Sequence, residues 1–313
     1  MGLYDITGYL IAMGAAALGA SVLFYFSLRK SSALRGEKVL LLSVCTLLSG
    51  TVLAVFFAKL FYFLFRFSFL MEMGFSRYWL SLKTEEMSYY GGVAGVTLAV
   101  FLSAKFFGAG PREVLNAFAP AGALMAAAAR FAECFLFPTG LGAYLNGFLP
   151  WPLAVDFDPD YILAVYNFEG FFSLAAFVLA LIHRNEPRRF LRTLFYLCLP
   201  QIFLESLRAD AINLLFMHLE QLLCYLFVEG VLIWYAFACG RKHFSSWIPA
   251  LAGLAVCIVF VVGEFMLEGK IRVGGTPVPR WITYTVMAAG LAAAAVMEHR
   301  ANRRLSFLRS EVR

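Results

Sequence analysis

Nine runs of predominantly apolar residues constrain the fold of this 313-residue chain more than any other feature. Each run is about 20 residues long, which is the length that an α-helix needs to cross the hydrocarbon core of a bilayer. The backbone finds no water to hydrogen-bond with inside that core, so spanning segments of this kind are helical. The sequence therefore predicts an all-α polytopic membrane protein with about nine transmembrane helices, at residues 8–28, 38–64, 89–107, 114–137, 161–183, 193–209, 217–239, 247–267 and 281–297.

The composition excludes a soluble globular domain. Hydrophobic residues make up 61% of the chain and charged residues only 15%, whereas soluble domains are about 25% charged. The net charge of +6 is interpreted through membrane topology, and nucleic acid is not expected as a partner, because Lys and Arg concentrate on one side of the predicted spans.

The distribution of basic residues orients these spans. Seventeen of the 26 Lys and Arg residues lie in loops on one side or in the C-terminal tail, and six lie in the opposite loops. Cytoplasmic loops carry the excess of positive charge, so the N-terminus is predicted to be outside and the C-terminus cytoplasmic. Residues 1–7 lack a basic region, so the first span is predicted to be retained. The six Cys residues lie in or beside apolar runs without metal-ligand spacing, which predicts free thiols.

One predicted span carries an ion pair near its end. Arg130 and Glu133 lie three residues apart in the stretch Ala126–Gly140, which is otherwise apolar and breaks at Pro138 and Gly140. The spacing places both side chains on one helix face, where they partly neutralise each other. Charge inside a membrane span indicates function by default. A buried ion pair that only fixes helix packing is the alternative.

Further polar residues are predicted at the same, outer end of the spans. Arg130 and Arg208 at the depth of phospholipid headgroups suit a phosphate clamp, because a guanidinium binds phosphate through two hydrogen bonds. An Arg–Glu network that only holds the helices together is the alternative. The other polar residues predicted at this end are Glu133, Glu169, Glu205, Asp210, His218, Glu220 and Gln221.

The outer loops and the start of the third span add weaker signals. Residues Phe65–Met87 form an aromatic and charged loop that suits an amphipathic segment lying on the membrane, and Pro138–Tyr161 is either a functional or a plain solvated loop. Gly91 and Gly92 allow close approach of another helix or of lipid. The sequence contains no phosphate-binding loop, serine-hydrolase motif or metal-binding cluster, so neither a metal nor a cofactor is expected.

Several short segments, taken in order, resemble the prolipoprotein diacylglyceryl transferases of bacterial inner membranes. The likeness covers roughly residues 5–240, and it rests on the order of the segments rather than on any one of them. The segments are Ala58–Tyr62 (A-K-L-F-Y), Met87–Gly92 (M-S-Y-Y-G-G), Ala129–Glu133 (A-R-F-A-E), Leu149–Trp151 (L-P-W), Phe168–Glu169 (F-E), Gln201–Arg208 (Q-I-F-L-E-S-L-R) and Gln221–Leu223 (Q-L-L).

This resemblance implies a reaction, its partners and its location. Members of the family transfer the diacylglyceryl group of phosphatidylglycerol to the lipobox cysteine in the signal peptide of a lipoprotein precursor, at the plasma membrane. By resemblance, Arg130 and Arg208 bind the departing phosphate, while Glu169 and Glu205 hold the arginines and the headgroup. The substrate's cysteine, rather than one of this chain, is the nucleophile. The other site residues that the resemblance implies are Tyr90, Gly91, Gly92, Glu133, Gln201, Asp210 and Gln221.

Departures from the family pattern leave a second function open. Tyr90 stands where the family has a histidine, and a phenol with a pKa of about 10 is a poor base at neutral pH. Gln201 replaces an arginine, and Glu133 replaces an asparagine. His218, predicted at the outer end, is a candidate for the missing base. The alternative function is a phospholipid-binding or accessory membrane protein of the same fold that has lost catalysis.

The last two spans lie beyond the resemblance. The chain is therefore divided into a core resembling the transferases, residues 1–245, and an addition, residues 246–313, which holds two further helices and a basic cytoplasmic tail. A transporter is a third class of function, but the inverted repeat that many transporters show is not evident in the sequence.

Overall fold

The computed structural model describes residues 5–30, 36–67, 78–79, 87–145, 147–157, 160–211, 213–214, 217–240 and 244–311. Within these residues, nine helices are long and apolar enough to cross a membrane, which confirms the predicted all-α polytopic fold. The helices are α1 (Ile6–Lys30), α2 (Glu37–Phe65), α3 (Tyr89–Phe106), α4 (Pro111–Ala132), α5 (Val165–Ile182), α6 (Arg189–Leu204), α7 (Leu219–Ala238), α8 (Phe244–Leu267) and α9 (Arg280–Glu311).

Four helices differ from the predicted spans at their ends by four residues or more. Helix α4 ends at Ala132, five residues before the predicted end at 137, and gives way to a 3-10 turn at Glu133–Phe135. Helix α5 begins at Val165, four residues later than predicted, because residues 160–163 form a strand. Helix α6 starts at Arg189 and gives way to a 3-10 turn at Glu205–Leu207. Helix α9 continues to Glu311, well past the predicted end at 297. The basic C-terminal residues up to that point therefore extend a helix.

Short antiparallel strands occupy three loops. The loop after α4, interpreted from the sequence only as a loop, folds into a sheet of order β1-β3-β2, and the other two loops form two-stranded hairpins. Most of the predicted amphipathic segment Phe65–Met87 lies outside the described residues. The strands are β1 (Tyr144–Leu145), β2 (Ala154–Phe157), β3 (Asp160–Leu163), β4 (Asn213–Leu214), β5 (Met217–His218), β6 (Arg272–Val273) and β7 (Thr276–Pro277).

Two glycines bring α3 into direct contact with α2. A Cβ atom on Gly91 would lie 2.4 Å from the carbonyl oxygen of Phe57, and one on Gly95 would lie 2.2 Å from that of Leu53. Small residues let helix backbones approach closely in membranes, where packing drives helix association. The glycine-rich start of α3 therefore serves helix packing, as its composition allows.

At the opposite end of the bundle, a buried carboxylate joins α9 to the other helices. Glu298 of α9 pairs with Arg192 of α6 (Oε1 to Nε, 3.0 Å). The hydroxyl groups of Tyr196 and Tyr235 donate to the same carboxylate at 2.9 and 3.0 Å. Glu298 is fully buried, so this network fixes α9 against α6 and α7. All six cysteines are free thiols, as predicted.

Candidate functional site

Helix ends bring the predicted polar residues together at one end of the bundle. Arg130 lies in the last turn of α4, and Glu169 lies near the start of α5. Arg208 directly follows the 3-10 turn after α6, and Glu220 lies in the first turn of α7. Tyr89 begins α3. The alternation of spans and the basic loops predict that this is the outer end.

Arg130 is almost completely buried, at 2% exposure, among charged and aromatic groups. Its Nη1 atom donates to Glu133 Oε1 at 2.6 Å, which confirms the predicted pairing across one turn. Its Nε atom lies 3.3 Å from Glu169 Oε2, and its Nη2 atom lies 3.6 Å from Glu220 Oε2. The guanidinium also stacks on the ring of Tyr89, 3.8 Å from its centroid, an attraction that strengthens when the cation is desolvated.

Arg208 contacts the same acids from the other side. Its Nη1 atom lies 2.9 Å from Glu169 Oε2 and 3.3 Å from Glu133 Oε2. Asp210 completes its surroundings through two hydrogen bonds, from Nε at 3.0 Å and from Nη2 at 2.9 Å. Glu133 and Glu169 therefore each bridge the two arginines, and with Asp210 they form one cluster around them.

Asp210 and Gly140 lock the loops around Arg208. The backbone N–H of Gly140 donates to Asp210 Oδ2 at 3.1 Å. Burial alone would raise the pKa of Asp210, but the charge and hydrogen bonds of Arg208, together with this N–H, lower that pKa below its ordinary value. Gly140 has φ of 74°, a conformation that residues with a side chain rarely adopt. A Cβ atom there would also lie 2.3 Å from Glu133 Oε2.

Gln201 and Glu205 support the cluster from α6. The amide nitrogen of Gln201 donates to Glu169 Oε1 and, at 3.1 Å, to Glu205 Oε2. Glu205 therefore binds Gln201, and no ion pair joins it to an arginine among the described residues. The reason is local: Arg208 follows the 3-10 turn with an extended backbone (φ −77°, ψ 136°), so the three-residue spacing of Glu205 and Arg208 does not place them on one helix face.

His218 and Gln221 lie at the start of α7. The backbone N–H of His218 donates to Gln221 Oε1 at 3.3 Å, and the His218 Nδ1 atom lies 3.0 Å from the carbonyl oxygen of Glu205. The Gln221 amide nitrogen donates to Ser206 Oγ (3.0 Å) and to Glu264 Oε1 (2.9 Å). Gln221 is fully buried, so its hydrogen bonds are used inside the protein.

Tyr90, Gly91 and Gly92 lie next to the cluster rather than within it. Tyr90 packs against the hydrophobic cluster of the later helices, close to Cys198 and Cys224. Gly91 is buried against α2, and Gly92 is half-buried. A cavity of about 20 Å³ lies between α3 and α6, with Tyr90, Arg130 and Gln201 in its lining. A space of that size holds about one water molecule.

Carboxylates outnumber the two arginines at this site. Glu133, Glu169 and Asp210 all approach an arginine within 3.3 Å. One donor is nevertheless incompletely satisfied: Arg130 Nη2 is buried, lies 3.6 Å from Glu220 Oε2 and has no acceptor at hydrogen-bond distance among the described residues. Arg130 Nη2 can therefore donate a hydrogen bond to one oxygen atom of a ligand. Because the carboxylates already compensate the two arginines, the negative charge that such a ligand can carry is limited.

Comparison with known proteins supplies the family. The family model for prolipoprotein diacylglyceryl transferase matches residues 1–237. The chain belongs to this family. Membership implies a membrane-embedded transferase and, in general, diacylglyceryl transfer to lipoproteins. No curated protein sequence matches the chain.

This prolipoprotein diacylglyceryl transferase family member contains site residues that the sequence analysis did not assign to the site. Tyr89, Ser206 and Glu264 contact predicted site residues. Glu220, which was predicted at this end without a role, contacts Arg130. The signal for Glu220 and Glu264 was their position near span ends, since an ionisable residue there is costly without a partner. Tyr89 had no signal beyond its place beside Tyr90. Glu264 lies on α8, beyond the part that matches the family.

Proposed function

We propose that this protein transfers the diacylglyceryl group of phosphatidylglycerol to the lipobox cysteine of a prolipoprotein, at the outer leaflet of the bacterial plasma membrane. The observation that carries the proposal is the buried Arg130 Nη2 atom, which lies 3.6 Å from Glu220 Oε2 and makes no hydrogen bond to a described residue. A buried donor without an acceptor costs about 1–3 kcal/mol, and a phosphate oxygen satisfies it well. Arg208, which shares Glu133 and Glu169 with Arg130, supplies a second guanidinium.

In the proposed reaction, these arginines stabilise the leaving group. The sulfur of the substrate's cysteine forms a bond to the glyceryl carbon while the bond from that carbon to the phosphate oxygen breaks. Negative charge then grows on the departing glycerol phosphate. A positioned donor in a low-dielectric site stabilises such charge by about 3 kcal/mol, so Arg130 and Arg208 account for a large part of the expected acceleration.

The proton of the substrate's thiol requires an acceptor, and His218 is the proposed base. Its Nδ1 atom lies 3.0 Å from the carbonyl oxygen of Glu205, a contact that favours the tautomer with the proton on Nδ1. The Nε2 atom is then free to accept a proton. Tyr90 is a weaker candidate because a phenol is a poor base at neutral pH. Its side chain also lies beside Cys198 and Cys224 rather than among the charged residues of the site.

A phospholipid-binding protein without catalysis is the second candidate. It is favoured by the carboxylates of Glu133 and Glu169, which already compensate both arginines.

Under either proposed function, the chain is divided into a transferase-like core at 1–245 and an addition at 246–313. The end of the family match at residue 237 supports this division.

The test of the proposed function is a transfer assay with purified protein. The protein is mixed with phosphatidylglycerol in micelles and a lipobox peptide, and the peptide's cysteine is followed by mass spectrometry. We expect a diacylglyceryl adduct that is lost in Arg130→Ala and retained in Arg112→Ala, a matched control whose arginine bonds the Pro187 carbonyl at the other end. Lipid binding that depends on Arg130, without any adduct, would instead establish the second candidate.

A further inference from the structure

The two arginines of the site are bridged by two carboxylates that are held very differently. Glu169 uses one oxygen, Oε2, for both Arg130 and Arg208, while its other oxygen accepts from Gln201. Its side chain is 1% exposed. Gln201 therefore holds Glu169 in place in addition to the two arginines. Glu169 is a fixed part of the site.

Glu133 is held by the arginines alone. Its Oε1 atom binds Arg130 Nη1 at 2.6 Å, and its Oε2 atom binds Arg208 Nη1 at 3.3 Å. No other hydrogen bond to its carboxylate is found among the described residues. One oxygen for each guanidinium is also the way in which a phosphate group would bridge this pair. The Glu133 side chain is 10% exposed, whereas that of Glu169 is 1% exposed. Glu133 is therefore the less deeply buried of the two carboxylates.

The chain around Glu133 leaves room for its carboxylate. Glu133 follows the last residue of α4 and begins a 3-10 turn, so it is positioned by a short segment rather than by helix interior. Gly140 faces it, and a Cβ atom at that position would lie 2.3 Å from Glu133 Oε2. The Glu133 carboxylate therefore already lies in the space that a side chain at position 140 would occupy.

Charge balance makes the carboxylate and a phosphate mutually exclusive. Two arginines already face Glu133, Glu169 and Asp210, and a phosphodiester adds one more negative charge. Like charges in a buried site repel strongly because little water screens them. The ionisable groups that face Glu133 from the surrounding elements are Tyr9, Tyr89, Arg130, Tyr166, Glu169, Arg208 and Glu220.

We propose that Glu133 is an internal anion that occupies the position of the substrate's phosphate and sets the affinity of the site for phosphatidylglycerol. The carboxylate bridges Arg130 and Arg208 in the resting protein and releases both when a phosphate binds. Replacing the Glu133 carboxylate by an uncharged side chain removes the competitor, so phosphate binding strengthens. This inference rests on the proposed function, since it takes the arginines to be the phosphate site.

The test compares binding of dihexanoyl phosphatidylglycerol, measured by calorimetry in neutral detergent micelles, to the full-length protein and its variants. Glu133→Gln keeps the shape and one hydrogen-bond acceptor but removes the charge. We expect it to bind at least about tenfold more tightly at neutral pH, within the range of ordinary coupling between two ligands of one site.

Two further variants keep the outcomes distinct. If binding is lost in Arg130→Ala but is unchanged or weaker in Glu133→Gln, Glu133 only positions the arginines, and the inference is overturned while the phosphate site stands. If Arg130→Ala binds as well as the unmodified protein, the proposed phosphate site itself is wrong. Should Glu133→Gln not fold, Glu133→Asn serves instead. It also removes the negative charge, so tighter binding is again expected, and unchanged or weaker binding overturns the inference.

Discussion

Glu169 Oε2 lies 2.9 Å from Arg208 Nη1, which ties the segment after α6 to the first turns of α5. The same oxygen lies 3.3 Å from Arg130 Nε at the end of α4. One carboxylate therefore joins three helix ends. Removing one partner of a buried ion pair leaves an uncompensated charge, which is costly in a low-dielectric setting.

We predict that Glu169→Ala destabilises the protein by about 3–5 kcal/mol, the usual cost of breaking a buried pair. Glu268→Ala is the matched control, because Glu268 pairs with Lys270 on the surface, with side chains 50% and 62% exposed. It should change stability by no more than about 1 kcal/mol. Unfolding of both variants in mixed micelles gives the comparison, and equal effects would contradict a structural role for Glu169.

Glu264 and Glu229 are buried acids that should respond to substitution in opposite directions. Glu264 accepts from Gln221 and Ser206, so Glu264→Leu should cost about 1–3 kcal/mol through unsatisfied donors. Neither oxygen of Glu229 has a hydrogen-bond partner among the described residues. Glu229→Leu should therefore raise stability by about 1–3 kcal/mol. Thermal unfolding in detergent measures both, and destabilisation by Glu229→Leu would show that this carboxyl has a partner.

Gly140→Ala should disrupt the site although it replaces no charged residue. The substitution places a methyl group at φ of 74°, against Glu133 Oε2 and 2.8 Å from Tyr166 Cβ. We expect reduced stability and loss of phosphatidylglycerol binding. Gly147→Ala, in the same loop, is the control, because a Cβ atom there meets nothing within 4 Å. Similar behaviour of the two variants would refute the tight packing around Gly140.

The Arg208–Asp210 contact should make stability depend on pH at the acidic end. The pKa of Asp210 is lowered in the folded protein, so its contribution is fully present above the ordinary value of about 3.9. That contribution is lost as the pH falls through the lower, folded value. Asp210→Asn should flatten this part of the stability profile. An unchanged acid limb in unfolding experiments from pH 2 to pH 5 would argue against the contact.

The membrane fold could be predicted from the sequence because the lengths of the apolar runs determine which segments can cross a bilayer as helices. The nine long helices that the described residues form were all predicted, and the errors lie at their ends, where local hydrogen bonding rather than hydrophobicity decides the boundary. Val165 starts α5 late because the preceding residues pair with β1 and β2. Strands of two to four residues carry too little periodicity to be predicted.

The composition of the site and the Arg130–Glu133 pair were predictable, but the other pairings were not. An ionisable residue near the end of an apolar span indicates a partner, and this argument placed Arg130, Glu133, Glu169 and Arg208 together. Which acid binds which arginine depends on backbone direction. The extended backbone of Arg208 turns its side chain toward Glu169 rather than Glu205, and sequence spacing does not contain that information.

The most direct measurement of the central claim follows both products of one reaction. Phosphatidylglycerol with a labelled headgroup phosphate is incubated with the purified protein and a lipobox peptide. The account predicts glycerol phosphate and diacylglyceryl-modified peptide in equal amounts, with neither formed by Arg130→Ala. Labelled lipid that binds through Arg130 while both products stay absent, beside an active family member as control, would contradict transferase activity.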